Sequence, residues 1–115
     1  TAQRAAVCAA LLEHGPLPVP LALAVAASVC QTLGDLHGAR DESGEPLHVV
    51  HRDVTPSNVL LGRDGSIKLA DLGIAKARGS RHRTKAGAIK GKLSYLAPEQ
   101  LRGEEADART DLYML

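Results

Sequence analysis

Apolar residues recur at helical spacing in two stretches near the start of the chain. Residues 4–14, rich in Ala and Leu, predict a helix that ends at His14-Gly15-Pro16. Prolines at positions 16, 18 and 20 then forbid helix and mark a linker. From Pro20 a second helix runs to about His37, with Val25, Val29, Leu33 and Leu36 on one stripe and Gly38 as its stop. Ala fills most of its other positions, so burial on several sides is expected.

Beyond this helix the period changes. Residues 38–46 form a polar loop, and Leu47 to Val50 predict a short strand leading into His51. Two apolar runs, Val59-Leu60-Leu61 and Ile67-Lys68-Leu69-Ala70, flank Gly62-Arg63-Asp64-Gly65-Ser66, which is a hairpin pattern. Residues 74–92 are basic and Gly-containing, with no period. The stretch from Leu101 to Ala108 is polar and charged, and Thr110-Asp111-Leu112 reads as the cap of a further helix. No internal repeat is visible.

A chain of 115 residues supports one small domain with a modest core. It begins at Thr1 and stops at Leu115 inside an apolar stretch, so both ends read as cut. Hydrophobic residues make up 44%, which excludes overall disorder. Tyr95 and Tyr113 are the only aromatics, so the core must be aliphatic. A net charge of +1 excludes a broad electrostatic footprint for nucleic acid. Cys8 and Cys30 lie far apart and read as small buried apolar side chains, not as a disulfide or metal site. The longest apolar run, Leu21 to Cys30, is about half of what a bilayer requires. A soluble, cytoplasmic protein is the expectation.

The chemistry lies in three motifs in fixed order. His51-Arg52-Asp53-Val54-Thr55-Pro56-Ser57-Asn58 stands directly before the hairpin, Asp71-Leu72-Gly73 directly after it, and Ala97-Pro98-Glu99 follows. Singly each is weak: an Asp in a loop is usually a turn or cap residue, and Ala-Pro-Glu is also an ordinary helix start. Together they resemble the catalytic loop, metal-binding triplet and closing activation-segment triplet of protein kinases. The wording of the first motif and of Gly91-Lys92-Leu93-Ser94-Tyr95-Leu96-Ala97-Pro98-Glu99-Gln100 is similar to bacterial Ser/Thr kinases.

The resemblance covers essentially the whole chain and implies an α+β, mainly helical fold. It would be a partial large (C-terminal) lobe with a hairpin beside the catalytic loop, the N-terminal lobe being absent. The catalytic loop would be residues 51–58, the activation segment 71–99 and the start of the central helix about 110–115. The implied activity is transfer of the ATP γ-phosphate to Ser or Thr hydroxyls of a protein substrate. Such transfer depends on positioning and charge neutralisation more than on covalent help. Asp53 would accept the hydroxyl proton. Asn58 and Asp71 would hold Mg²⁺ or Mn²⁺ through hard oxygen ligands. Leu60 would form the floor under the adenine ring, or be an ordinary strand core residue. His51 and Leu72 resemble members of an apolar spine, with Leu72 in place of the usual Phe. Glu99 in the family pairs with an Arg further down the chain. Asp111 resembles the residue that braces the catalytic loop, while as a plain helix residue it reads as an N-cap.

Two positions depart from the family pattern. Thr55 stands where Ser/Thr kinases usually carry Lys, and Lys92 where they usually carry Thr. One reading is a swap, with Lys92 supplying the ammonium near the phosphate as a flexible point charge. The other leaves Lys92 in solvent. The segment between Asp71 and Glu99 also carries Lys76, Arg78, Arg81, Arg83, Lys85 and Lys90, with no acid among them. One reading is a merely solvated basic loop. The other follows from the resemblance, in which Arg52 reads a phosphate on the activation loop. A phosphate on Thr84 or, less favourably, Ser80 would then order the segment, Thr84 being a candidate for autophosphorylation.

The chain shows no Gly-rich loop, strand Lys or partner Glu to orient ATP, so the fragment alone is expected to be inactive. Small-molecule phosphotransferases share the His-x-Asp loop, but Ala97-Pro98-Glu99 argues against them. A pseudokinase or scaffold, motivated by Thr55 and Leu72, stays open beside the enzyme.

Overall fold

Val7 is extended, not helical. In the computed structural model, which describes residues 6–72 and 93–115, β1 (Ala6–Val7) pairs antiparallel with β2 (Val59–Leu61), Val7 opposite Leu60. Of the helix expected over residues 4–14, positions 4 and 5 lie outside the described residues, and within them α1 covers only Cys8–Leu12, with Val7 as its N-cap at φ −77° and ψ 131°. A β-branched residue already held in a ladder is a poor first turn.

α2 (Val19–His37) begins after Pro18, with Pro20 in the first turn, where its missing N–H has no helical partner to lose. Gly38 ends it, its N–H returning to Gly34 O at 3.0 Å. The predicted stripe is the packed one. Val29 and Leu33 are buried, and Val25 and Leu36 pack against them. Burial on several sides is not observed: Val19 is 70% and Leu23 65% exposed, because only one face meets β3 and the last helix. By length and composition α2, with a mean hydropathy of 1.5, is long and apolar enough to cross a membrane, unlike the shorter run read from sequence. Its stripe nevertheless belongs to the core of this fold.

The loop after α2 is organised by Asp41, whose Oδ1 accepts from the Ser43 and Glu45 N–H groups and the Ser43 hydroxyl. The strand expected at Leu47–Val50 does not form. His48 turns the backbone left-handed at φ +49°, and the Leu47 N–H donates to Ala39 O at 2.9 Å.

The hairpin forms as read. β2 pairs with β3 (Ile67–Leu69), Val59 opposite Leu69 and Leu61 opposite Ile67, giving sheet order β1-β2-β3. Its loop closes through Gly62 N–H to Ser66 O at 2.7 Å. A Cβ at Gly62 would displace the Asp64 carboxylate and Ser66 hydroxyl that order the turn, and Gly65 sits at φ +83°, where a side chain is strained.

α3 (Pro98–Arg102) starts at Ala97 and stops at left-handed Gly103. α4 (Ala108–Met114) is capped by Asp107, whose carboxylate accepts from the Arg109 N–H at 2.8 Å and whose own N–H donates to Thr110 Oγ1 at 3.1 Å. The cap therefore lies upstream of the Thr110-Asp111 expected from sequence, and Asp111 sits inside the helix. The core of Cys8, Val29, Leu33, Val54, Val59 and Met114 is aliphatic, as the scarcity of aromatics requires. Cys8 is buried, which pushes its thiol pKa up by desolvation, whereas Cys30 is exposed, contrary to expectation; both are free thiols.

Candidate functional site

The loop His51–Asn58 is held from three directions. From α4, Asp111 Oδ2 accepts the His51 N–H at 2.8 Å and Oδ1 accepts the Arg52 N–H at 2.7 Å. His37, the last residue of α2, donates from Nε2 to Asp111 Oδ2 at 2.7 Å. Asp111 is 0% exposed, so the N–H groups and the imidazole together replace its hydration. This is the loop-bracing position implied by the resemblance, and the N-cap reading of Asp111 falls away.

The second hold comes from the hairpin. His51 is buried, and its Nε2 lies 3.0 Å from Ala70 O while its Nδ1 lies 3.3 Å from the Asp53 nitrogen. A carbonyl only accepts and a backbone N–H only donates, so the ring is the neutral Nε2–H tautomer. The other side of Ala70 is fixed too, since its N–H donates to Asn58 O at 2.7 Å. Both backbone groups of Ala70 are thereby bonded to the loop, and the next residue is Asp71. Asp71 is exposed and left-handed at φ +55°, a conformation Asp tolerates better than most residues.

Third, Gln100 on α3 donates from Nε2 to Arg52 O at 3.0 Å. Arg52 is itself left-handed at φ +67°.

Asp53 and Asn58, buried at 7% and 6% exposure, share this loop. Asn58 Nδ2 donates to Asp53 O at 2.7 Å, which fixes the amide plane and leaves Oδ1 as its oxygen donor. With the Asp71 carboxylate next to the bonded Ala70, the donor set is an amide oxygen and a carboxylate, suited to Mg²⁺ or Mn²⁺. Among the described residues no group of three or more His, Cys, Asp and Glu is clustered to hold a metal by itself.

Thr55 is buried, and its hydroxyl has no hydrogen-bond partner among the described residues. Leu60 is half-buried on β2 opposite Lys68, and Leu72 is half-buried beyond Ala70. Glu99 Oε1 accepts from the Thr110 hydroxyl at 2.6 Å, so within this chain it has a partner other than the expected Arg. That hydrogen bond is the main reason its carboxyl lies below the ordinary range. Lys92, Thr84, Ser80 and the other basic positions of the 74–92 segment lie outside the described residues.

The roles of His37 and Gln100 were not read from sequence. His37 looked only like the end of a helix, and Gln100 closed the stretch that resembles bacterial Ser/Thr kinases without a role of its own.

A family model described as "Protein kinase domain" matches residues 4–115. The chain is 44% identical over 99 residues to the tyrosine-protein kinase MasK of Myxococcus xanthus, covering 86% of this chain and 15% of that protein. It is 39% identical over 109 residues to serine/threonine-protein kinase A of Synechocystis sp., covering 91% and 21%. With serine/threonine-protein kinase PknL of Mycobacterium tuberculosis the identity is 41% over 103 residues, covering 90% and 24%. The chain thus spans less than a quarter of the length of these relatives.

Proposed function

Since this chain belongs to the protein kinase family, we propose that it is the catalytic and metal-binding part of the large lobe of an ATP-dependent Ser/Thr protein kinase. The observation that carries this reading is the pair of hydrogen bonds from the backbone of Ala70 to His51 and Asn58, which ties the residue before Asp71 to the loop that holds Asp53.

Within that reading, Asp53 accepts the proton of the attacking hydroxyl as the phosphorus–oxygen bond forms. Asn58 and Asp71 hold the divalent cation. A divalent cation held by these two residues would supply charge neutralisation at the phosphates. Leu60 would form the floor under the adenine ring of ATP, and a cytoplasmic site of reaction goes with this reading. Thr55 offers a buried hydroxyl with no described partner where Lys is usual, which supports the assignment of the missing ammonium to Lys92. Arg52 and the basic segment would receive a phosphate on Thr84, added by autophosphorylation.

Relatives with Ser/Thr names, kinase A and PknL, favour a Ser/Thr acceptor, while MasK carries a tyrosine name. Phosphoamino-acid analysis decides the acceptor after the full-length product of the encoding gene is incubated with γ-labelled ATP and Mg²⁺. Label on Ser or Thr is expected. Label on Tyr alone would overturn the specificity, and nucleotide binding without any transfer would leave a scaffold.

A further inference from the structure

The peptide unit joining Arg52 to Asp53 is gripped at both ends. Its carbonyl, Arg52 O, accepts from Gln100 Nε2 at 3.0 Å, and its N–H, that of Asp53, faces His51 Nδ1 at 3.3 Å. The preceding peptide is held as well, because the Arg52 N–H donates to Asp111. The orientation of this unit sets where the Asp53 side chain leaves the backbone. It follows a residue at φ +67°, an unfavourable conformation for Arg that persists only where the surroundings over-determine it.

Gln100 uses both ends of its amide. Oε1 accepts from the Ala97 N–H at 3.0 Å, which caps the start of α3, while Nε2 reaches back 48 residues to the Arg52 carbonyl. Capping alone needs only the oxygen. The nitrogen is the sole part of α3 that touches the catalytic loop through a hydrogen bond among the described residues.

We propose that Gln100 is a positioning residue for Asp53, tying the end of the activation segment to the orientation of the base. The inference rests on the reading of Asp53 as base, but the tie itself is measurable without activity. When the segment carrying Ala97 to Gln100 is seated, the Arg52–Asp53 peptide is locked. When the segment moves away, the peptide loses its donor and the carboxylate loses its fixed direction. Gln100 thereby makes the seating of the segment a condition for a correctly aimed Asp53.

Gln100→Glu separates the two functions of the amide. A carboxylate still accepts from the Ala97 N–H and suits a helix N-terminus, but it presents an acceptor to the Arg52 carbonyl where a donor stood. Gln100→Met removes both functions. The experiment uses the full-length gene product and reads two quantities. The first is amide hydrogen exchange of the peptide spanning residues 51–54 against that of 97–102. The second is the split between kcat and the KM for ATP.

In Gln100→Glu, exchange at 51–54 should rise about tenfold (about 1.4 kcal/mol of local opening), within the range set by one lost hydrogen bond, while 97–102 stays protected. Its kcat should fall by up to about 100-fold, as a misplaced reacting group predicts, with KM for ATP unchanged. Exchange at 51–54 equal to wild type, or a wild-type kcat, overturns the proposal and leaves Gln100 as a helix cap. An inactive wild type counts against the functional reading alone, and the exchange comparison still decides the tie.

Discussion

The imidazole of His51 donates from Nε2 to the carbonyl of Ala70 at 3.0 Å, joining the residue two before Asp53 to the residue one before Asp71. The ring also offers Nδ1 to the Asp53 N–H, so a single buried side chain spans the two segments that carry the acidic residues. His51→Phe keeps the shape and removes both hydrogen bonds. One buried and one part-buried backbone group then lose their partner, at about 1–3 kcal/mol each. Urea denaturation should therefore show a loss at the upper end of that range or beyond, and a loss below about 1 kcal/mol would mean that the ring acts only by packing.

Asp111 gathers the His51 and Arg52 N–H groups and the His37 imidazole on one fully buried carboxylate. Each hydrogen bond to a charged group is worth roughly 1.5–3 kcal/mol, so Asp111→Ala should destabilise the fold by at least about 3 kcal/mol. Asp35 is exposed and accepts from Gln31 on its own helix, so Asp35→Ala should stay within about 0.5 kcal/mol. Parallel denaturation curves of the two variants check the contrast.

The faces of α2 differ sharply in consequence. Leu33 is 1% exposed and Leu23 is 65% exposed. Leu33→Ala should cost about 2–5 kcal/mol, the range for emptying a packed site, and Leu23→Ala should be nearly neutral. Equal losses in thermal unfolding would show that the outer face is packed in solution.

The stripe Val25, Val29, Leu33 and Leu36 was legible in the sequence because it follows the helix period, and the hairpin was legible because Gly62 and Gly65 mark its turn. The order of the three motifs named Asp53, Asn58 and Asp71 as candidates, and the first two do share one buried loop. Other features were hidden for physical reasons. The segment Leu47–Val50 has strand composition, yet the left-handed His48 breaks it. Asp107 takes the α4 cap instead of Thr110-Asp111, which releases Asp111 for the loop; a cap depends on which carboxylate has other donors to satisfy. The bonds from His37 to Asp111 and from Gln100 to Arg52 join residues 74 and 48 positions apart, and no local pattern encodes them.

Glu99 carries a pH signature. The Thr110 hydroxyl holds its carboxyl below the ordinary value, so the folded pKa is depressed relative to the unfolded one. The stability this contributes is fully present above the unfolded value of about 4.3 and is lost as pH falls through the lower folded value. Thr110→Val removes the donor. Carboxyl NMR should then show Glu99 titrating at higher pH, and the stability gap between wild type and Glu99→Gln should flatten with pH in the Thr110→Val background. An unchanged Glu99 titration would refute the assignment.

The paired roles of Asp53 and Asp71 are tested most directly by phosphate transfer from γ-labelled ATP in the full-length gene product, titrated with Mg²⁺. Wild type is compared with Asp53→Asn and Asp71→Asn. Both variants should lose transfer by about 100-fold or more. Only Asp71→Asn should also raise the metal concentration needed for half-maximal nucleotide binding. Undiminished transfer in Asp53→Asn, or an unchanged metal requirement in Asp71→Asn, would contradict the roles assigned to this pair.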